Sequence, residues 1–456
     1  MTALWTCEEA QGATLGIPSR GFEVNGLSID TRTLKPGDLF VALKGDHRDG
    51  HEFVKLAFAG GAGAALVAHG TFDAPSDAPL LTVANTQRGL EDLGVAARAR
   101  SDARIVAVTG SAGKTTTKEI LRIALGALGA THASIASHNN HWGVPLSLAS
   151  LPRDVRYGVF EIGLNHFGEI RALAGFVRPH VALVTTIAPA HLEFFGTCEA
   201  IADAKSEIFE AVVPGGSALI PSDSPYAERL VARARQAHVA RVLKFGRAAR
   251  SDARLTDYIE SDEGSSVKAD ICGVPVEFRI GAAGRHVAEN AVGALLAVAM
   301  ADGDVLNAAA ALRQFTALNG RGARFESAGA QVIDESYNAN PASMAAALAL
   351  LGSSRGRRIA VLGDMLEMGP DGPQHHAALA TPIEAARCDL VFLCGPQMKL
   401  LWDALPSSRR GGYASTSSEL APLLSAALKS GDTVLVKGSF GSKMALIVDA
   451  LKSRRR

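Results

Sequence analysis

The chain has 456 residues, 47% of them hydrophobic and 20% charged, and its 46 basic and 46 acidic side chains cancel to a formal net charge of zero. That length calls for about three domains of ordinary size, and the charge balance argues against the broad basic surface that nucleic-acid binding requires. The cysteines Cys7, Cys198, Cys272, Cys388 and Cys394 are scattered and odd in number, which suggests neither a disulfide framework nor a zinc site and makes a reducing cytoplasm the expected compartment.

The N-terminus, MTALWTCEEA, carries Glu8 and Glu9 where a secretory signal is basic and then apolar. No apolar run reaches the ~18 residues of a membrane span, so neither export nor membrane insertion is expected. The closing SRRR reads as a solvated end.

Short β-branched runs (DLFVAL, AALVAH, ARIVAVTG, YGVFEIG, VALVTTI, SALIPS) alternate with alanine-rich helical stretches. This is the pattern of repeated β-α units and mostly parallel sheets, hence an α/β protein. LEDLGVAARARSDA leads into the strand at Ile105, placing a first boundary near Ser101. The block from Asp252 to Ile280 alternates like a small antiparallel excursion. From Asn319 a new series begins, with RFESAGAQVIDESYNANP, RRIAVLGDM, DLVFLCGP and DTVLVKGS supplying its strands and strand ends. The expected divisions are therefore residues 1–100, 101–318 and 319–456.

VAVTGSAGKTTT, Val106 to Thr117, holds the parts of a phosphate cradle: a buried strand, a turn through Gly110, Ser111, Ala112 and Gly113, the cation of Lys114, the hydroxyls of Thr115 and Thr116, and a following helix whose N-terminus faces the anion. The common spacing G-x-x-x-x-G-K-[ST] would put a glycine at Val108, so this loop is shorter. The bland alternative is a glycine turn with Lys114 in solvent.

Phosphoryl transfer needs charge neutralisation by magnesium and a fixed cation. Glu161 in VFEIGLNHFGEI and His191 in TTIAPAHLEFFG stand at strand ends as candidate ligands, although either could be an ordinary hydrogen-bonded residue. Lys205 in IADAKSEIFE, beside Glu207 and Glu210, reads by default as a solvated helix residue. His286 and Asn290 share a helix face at i, i+4. Arg321 and Arg324 lie at a domain junction, where an arginine fork can reach a phosphate or form an inter-domain ion pair. In VIDESYNANPASM, Asn338, Asn340 and Pro341 suit a turn, and Asp334 is a strand-end acid.

The abbreviated T-G-S-x-G-K-T-T loop resembles the ATP site of the Mur ligases and the related folylpolyglutamate synthetases. That resemblance implies three α/β domains: a small N-terminal domain binding a uridine nucleotide (1–100), a central ATPase-like parallel sheet (101–318), and a Rossmann-like C-terminal domain (319–456). It implies ATP and Mg2+ as cofactors. Gly110 to Thr116, Asn290, Arg321, Asp334 and Glu335 would hold the nucleotide. Thr115, Glu161, His191 and Lys205 would serve the metal, Lys205 as a carbamate formed with carbon dioxide. Lys114, Lys205, His191 and Arg321 would be catalytic.

S-Y-N-A-N-P followed by S-M resembles the Mur ligases that add D-alanyl-D-alanine, which implies UDP-N-acetylmuramoyl-tripeptide as the second substrate. Thr31, Arg32, Asn139, Asn140, Asn338 and Asn340 would bind substrate, in a monomer. SIDTRTLKPGDLFVALKGDHRDGH, SHNNHWGVPLSL, VLGDMLEMG and LVKGS, with Lys437 and Ser439, carry the likeness along the whole chain. Departures are Glu335 for the commoner aspartate, Leu164 and Phe167 for alanine and proline, and Phe440 for arginine. The alternatives are another ligase of the superfamily, a P-loop phosphohydrolase, or a catalytically silent nucleotide-binding module.

Overall fold

The structure is a computed structural model that describes residues 3–135, 137–261 and 264–454; Arg455 and Arg456 of the SRRR end lie outside them. Three large sheets follow one another along the chain. The first has five strands in the order Ile17–Pro18, Leu80–Val83, Ala64–Ala68, Asp38–Val41, Gly26–Ser28, all parallel but for the first pair.

The second sheet has nine strands. Its parallel part runs Thr131–Ala133, Tyr157–Glu161, Arg104–Thr109, Val181–Val184, Ser217–Pro221, Arg241–Gly246, Ala253–Ser261. Gly264–Ile271 and Val274–Ile280 extend it antiparallel, as the alternation after Asp252 predicts. Its central strands are apolar on both faces because helices cover both sides, so RIVAV and VALV are buried almost continuously.

The third sheet has six strands, Ala323–Ser327, Ala330–Glu335, Thr433–Lys437, Arg358–Gly363, Leu390–Cys394 and Arg410–Ala414, antiparallel only at its first pair. No described helix is long and apolar enough to cross a membrane.

The first and second sheets are joined by an apolar cluster containing Leu90, Leu93, Val144 and Leu148. Trp5 Nε1 donates to Ala149 O at 2.9 Å, and Gln87 donates to His141 O at 2.8 Å. The second and third sheets meet through Leu192, which packs on the apolar core of the third. This stacking leaves one deep cleft at the carboxyl ends of the strands of the second sheet, where open α/β sheets bind ligands.

Candidate active site

The loop Gly110–Gly113 leaves the central strand Arg104–Thr109, and the helix Lys114–Gly126 starts directly behind it. Gly113 has φ 80°, a conformation that favours glycine, and a Cβ there would lie 2.7 Å from Asn290 Nδ2 and displace that side chain. No side chain caps this helix, which leaves its first N–H groups and its positive dipole end for an anion. Beneath the loop, the Thr185 hydroxyl donates to Ala112 O at 2.5 Å, while Ser111 Oγ donates to Ala188 O at 2.9 Å. Lys114 Nζ folds back to Gly110 O at 2.8 Å. Burial lowers the Lys114 pKa; the charge of Glu161 opposes this and Arg321 adds to it.

Glu161 ends the strand paired with the loop strand, in register with Val108, and so stands beside the turn. It is 1% exposed. The Thr115 hydroxyl donates to its Oε2 at 2.8 Å and Asn139 Nδ2 to its Oε1 at 2.7 Å. A buried carboxylate whose hydrogen-bond partners are both neutral, with a hydroxyl beside it, is an oxygen set that suits a hard cation. Magnesium keeps waters and substrate phosphates in its shell, so it needs no dedicated cage, and no group of three or more His, Cys, Asp or Glu able to hold a metal occurs among the described residues. Thr115, Glu161 and phosphate oxygens fit it.

His191 lines the same cleft as Glu161 but makes no hydrogen bond or ion pair with it. It starts the short helix Leu192–Phe195 at φ 57°, and its Nδ1 lies 2.5 Å from Glu367 Oε2, across to the third sheet's side. Lys205, on the helix Cys198–Ser206, is 1% exposed rather than solvated, and no hydrogen bond or ion pair joins its side chain to another described residue. Burial, with Lys114 nearby, drives its pKa well below the usual lysine value.

The third sheet closes the cleft. Arg321 donates to Ser137 Oγ at 3.0 Å, and Ser137 Oγ is 3.5 Å from Thr115 Oγ1. Lys437, 2% exposed, donates to Asn338 O at 2.9 Å and pairs with Glu335 at 3.4 Å; the two are opposite each other in adjacent parallel strands. The cleft encloses about 550 Å³. Ser111 to Lys114, Thr116, Asn139, Asn140, Glu161, His191, His286, Asn290, Arg321, Glu335, Asn338, Asn340 and Lys437 all line it, with Phe245 and Pro221 giving an apolar wall.

Several candidates sit differently. Asp334 is not at the cleft wall: its buried carboxylate accepts from Gly320 N at 2.9 Å and from the Ser336 hydroxyl at 2.6 Å, so it braces the turn carrying Arg321. Asn340 caps the helix Pro341–Gly352 through a bond from Ser343 N. Asn140 accepts from Gly143 N at 2.9 Å. Arg324 lines a separate hollow with Asp432. Thr31 and Arg32 lie outside the cleft. Arg32 is 87% exposed on Asp30, whose carboxyl it holds at a pKa of about 2. Ser137, Thr185, Tyr337 and Glu367 were not distinguished by sequence reasoning. The paired hydroxyls of VTT at a strand end were the one available signal, pointing to Thr185.

Fold and cleft together define a three-domain α/β protein with a phosphate-binding loop facing the junction of its second and third sheets. Residues 108–298 match the Mur ligase middle domain, 320–440 the Mur ligase glutamate ligase domain, and 23–86 the Mur ligase family catalytic domain. The chain is 35% identical to UDP-N-acetylmuramoyl-tripeptide--D-alanyl-D-alanine ligase of Escherichia coli, over 97% of this chain and 96% of that protein. It is 32% identical to the Rickettsia prowazekii protein of the same name, over 95% and 97%. The crystal structure of MurF from Acinetobacter baumannii superposes with a TM-score of 0.86 at 29% identity, covering 98% of this chain and 99% of that one. The Thermotoga maritima MurF ligase, solved in complex with ADP, gives 0.78 at 25% identity, covering 94% and 97%. The chain belongs to the Mur ligase family.

Proposed function

We propose that this chain joins D-alanyl-D-alanine to the tripeptide carboxylate of UDP-N-acetylmuramoyl-tripeptide at the expense of ATP, forming the UDP-N-acetylmuramoyl-pentapeptide in the cytoplasm. The observation that carries the reading is the convergence of Lys114, the Thr115–Glu161 pair and Arg321 on one loop, in a chain related over 95–97% of its length to ligases of that name.

The γ-phosphate of ATP lies against the N–H groups of Gly110 to Thr116, with Lys114 released from Gly110 O to meet it. Asn290 and the apolar wall by Phe245 take the nucleoside. A tripeptide carboxylate oxygen attacks the γ-phosphorus, ADP leaves, and an acyl phosphate results. The dipeptide amine then attacks the acyl carbon, loses a proton, and expels phosphate. Lys114 and Arg321 stabilise the charge that develops on the transferred group. Thr115 and Glu161, with phosphate oxygens, would hold magnesium, which would supply further neutralisation of that charge. The Lys205 amine, whose pKa burial lowers, adds in its neutral form to carbon dioxide with loss of a proton to give a carbamate, replacing a cation with an anion at that side of the cleft. His191 is held for the same side by Glu367. Closure of residues 319–456 on residues 101–318 keeps water from the acyl phosphate. Residues 1–100, with Thr31 and Arg32, take the uridine diphosphate, and Asn139, Asn140 and Asn338 face the peptide.

The test is incubation with ATP, Mg2+, UDP-N-acetylmuramoyl-tripeptide and D-alanyl-D-alanine, read by mass. A product equal to the two substrates less one water is expected, with one phosphate released per product. Equal phosphate release without the dipeptide would replace this reading with a phosphohydrolase.

A further inference from the structure

Phe440 stands where the resemblance leads one to expect arginine, directly after the strand Thr433–Lys437 and Gly438-Ser439. Its side chain is left in solvent, 76% exposed. The ring nevertheless has a partner: its centroid is 5.9 Å from that of Tyr337, tilted by 51°. Tyr337 in turn carries the Arg321 guanidinium, whose Cζ is 3.9 Å from the ring centroid. Arg321 then reaches Ser137 Oγ at 3.0 Å, and that oxygen lies 3.5 Å from Thr115 Oγ1. An unbroken ladder of side chains therefore runs from an exposed phenylalanine on the third sheet's side to the phosphate loop of the second.

The backbone on either side of Arg321 is fixed independently. Gly320 N donates to Asp334 Oδ2 at 2.9 Å, Gly322 N to Asp334 O at 2.8 Å, and Tyr337 N to Gly320 O at 3.1 Å. Main chain and aromatic ladder thus constrain the same residue from two directions.

We propose that Tyr337 and Phe440 are positioning residues that hold the plane of the Arg321 guanidinium ready for the transferred phosphate; this rests on the ligase reading above. A guanidinium binds oxyanions through the N–H groups on its edge, so a ring stacked on its face fixes the plane without occupying those donors. A free arginine would have to lose its rotamer freedom when ATP binds, whereas one already stacked has lost it on folding. Tyrosine and phenylalanine suit the task because each has only two side-chain torsions to fix. Because Phe440 is exposed, removing it leaves no core cavity, so its effect on turnover can be separated from an effect on folding.

The experiment measures kcat, KM for ATP and the dissociation constant of a non-hydrolysable ATP analogue on the full chain, with a melting curve for every variant. Tyr337→Leu is expected to lower kcat/KM about tenfold, mainly through kcat, and Phe440→Ala roughly threefold. Tyr337→Phe and Phe440→Tyr keep the rings and should stay near wild type. In an Arg321→Ala background, Tyr337→Leu and Phe440→Ala should add no further loss in turnover or analogue affinity. Undiminished losses in that background, or wild-type kinetics for both Tyr337→Leu and Phe440→Ala, would overturn the proposal. If Tyr337→Leu fails to fold, the exposed Phe440→Ala in the two backgrounds decides alone. Failure of the ligase reading is seen separately, as absence of amide product from the wild-type protein.

Discussion

The Thr115 hydroxyl donates a 2.8 Å hydrogen bond to Glu161 Oε2, tying the first turn of the helix behind the phosphate loop to the end of the adjacent strand. The bond depends on strand order. The strand Tyr157–Glu161 lies beside Arg104–Thr109 with Glu161 level with Val108, so the carboxylate arrives where the loop turns. Glu161→Gln keeps the shape and one acceptor but removes the charge. We expect about a hundredfold fall in kcat and a higher Mg2+ requirement, with the melting temperature little changed. A Mg2+ titration of wild type and variant checks this, and an unchanged magnesium midpoint would count against Glu161 as a metal residue.

Lys205 should make activity depend on carbon dioxide. Carbamate formation needs the neutral amine; an ordinary lysine, with a pKa of about 10.4, is almost wholly protonated at neutral pH. Burial lowers the Lys205 value, which increases the share of neutral amine that can form the carbamate, and that share falls as pH falls. Enzyme depleted of bicarbonate is expected to lose most of its turnover and regain it when bicarbonate is added at neutral pH. Lys205→Arg should be inactive with or without bicarbonate. Full activity of that variant would remove the carbamate from the account.

His180 gives a pH dependence of stability away from the cleft. Its Nδ1 accepts from Ile105 N at 3.0 Å, and burial, with Arg98 and Arg104 nearby, lowers its pKa from 6.5 to about 4. Between those two values the unfolded chain binds the proton and the folded chain does not, so this residue lowers stability as pH falls through that window and contributes no pH dependence above it. Urea unfolding from pH 7 to pH 4 should show a slope from this site of up to about one proton, absent in His180→Asn, whose amide oxygen can still accept from Ile105. An identical slope in the variant would contradict the assignment.

Asn340 separates a helix cap from a substrate contact. Its side chain accepts from Ser343 N at 2.8 Å, and Ser343 Oγ accepts from Asn340 N at 3.0 Å, forming a capping box at the start of Pro341–Gly352. Asn340→Ala should cost about 1 kcal/mol of stability, while Asn340→Ser should recover most of it. Peptide KM measured on both variants tells the two roles apart. A cap alone predicts that KM changes little at temperatures where the protein is folded.

The α/β class was legible because buried parallel strands announce themselves as β-branched runs such as RIVAV and VALV, and the phosphate loop because G-S-A-G-K-T-T-T can be read without knowing what surrounds it. The residues that complete the cleft were less so, because they come together through strand order. Ser137 and Arg321 are 184 positions apart in the chain. His191 meets Glu367, in a segment read from sequence only as part of a family motif. Asp334 reads from sequence as a strand-end acid; the bonds it accepts from Gly320 and Ser336, which brace the Arg321 turn, are not legible there. Lys205 looked solvated because a lone lysine on a polar helix usually is. Its burial comes from the packing of that helix against the body of the second sheet, which no local pattern encodes.

The central claim is that the tripeptide carboxylate, rather than water, receives the phosphoryl group. Tripeptide labelled with heavy oxygen in its terminal carboxylate, supplied with ATP, Mg2+ and D-alanyl-D-alanine, tests it directly. The account predicts that each phosphate released carries one labelled oxygen from the donor. Unlabelled phosphate would mean that water attacks ATP in this cleft, and would contradict the acyl phosphate on which the mechanism rests.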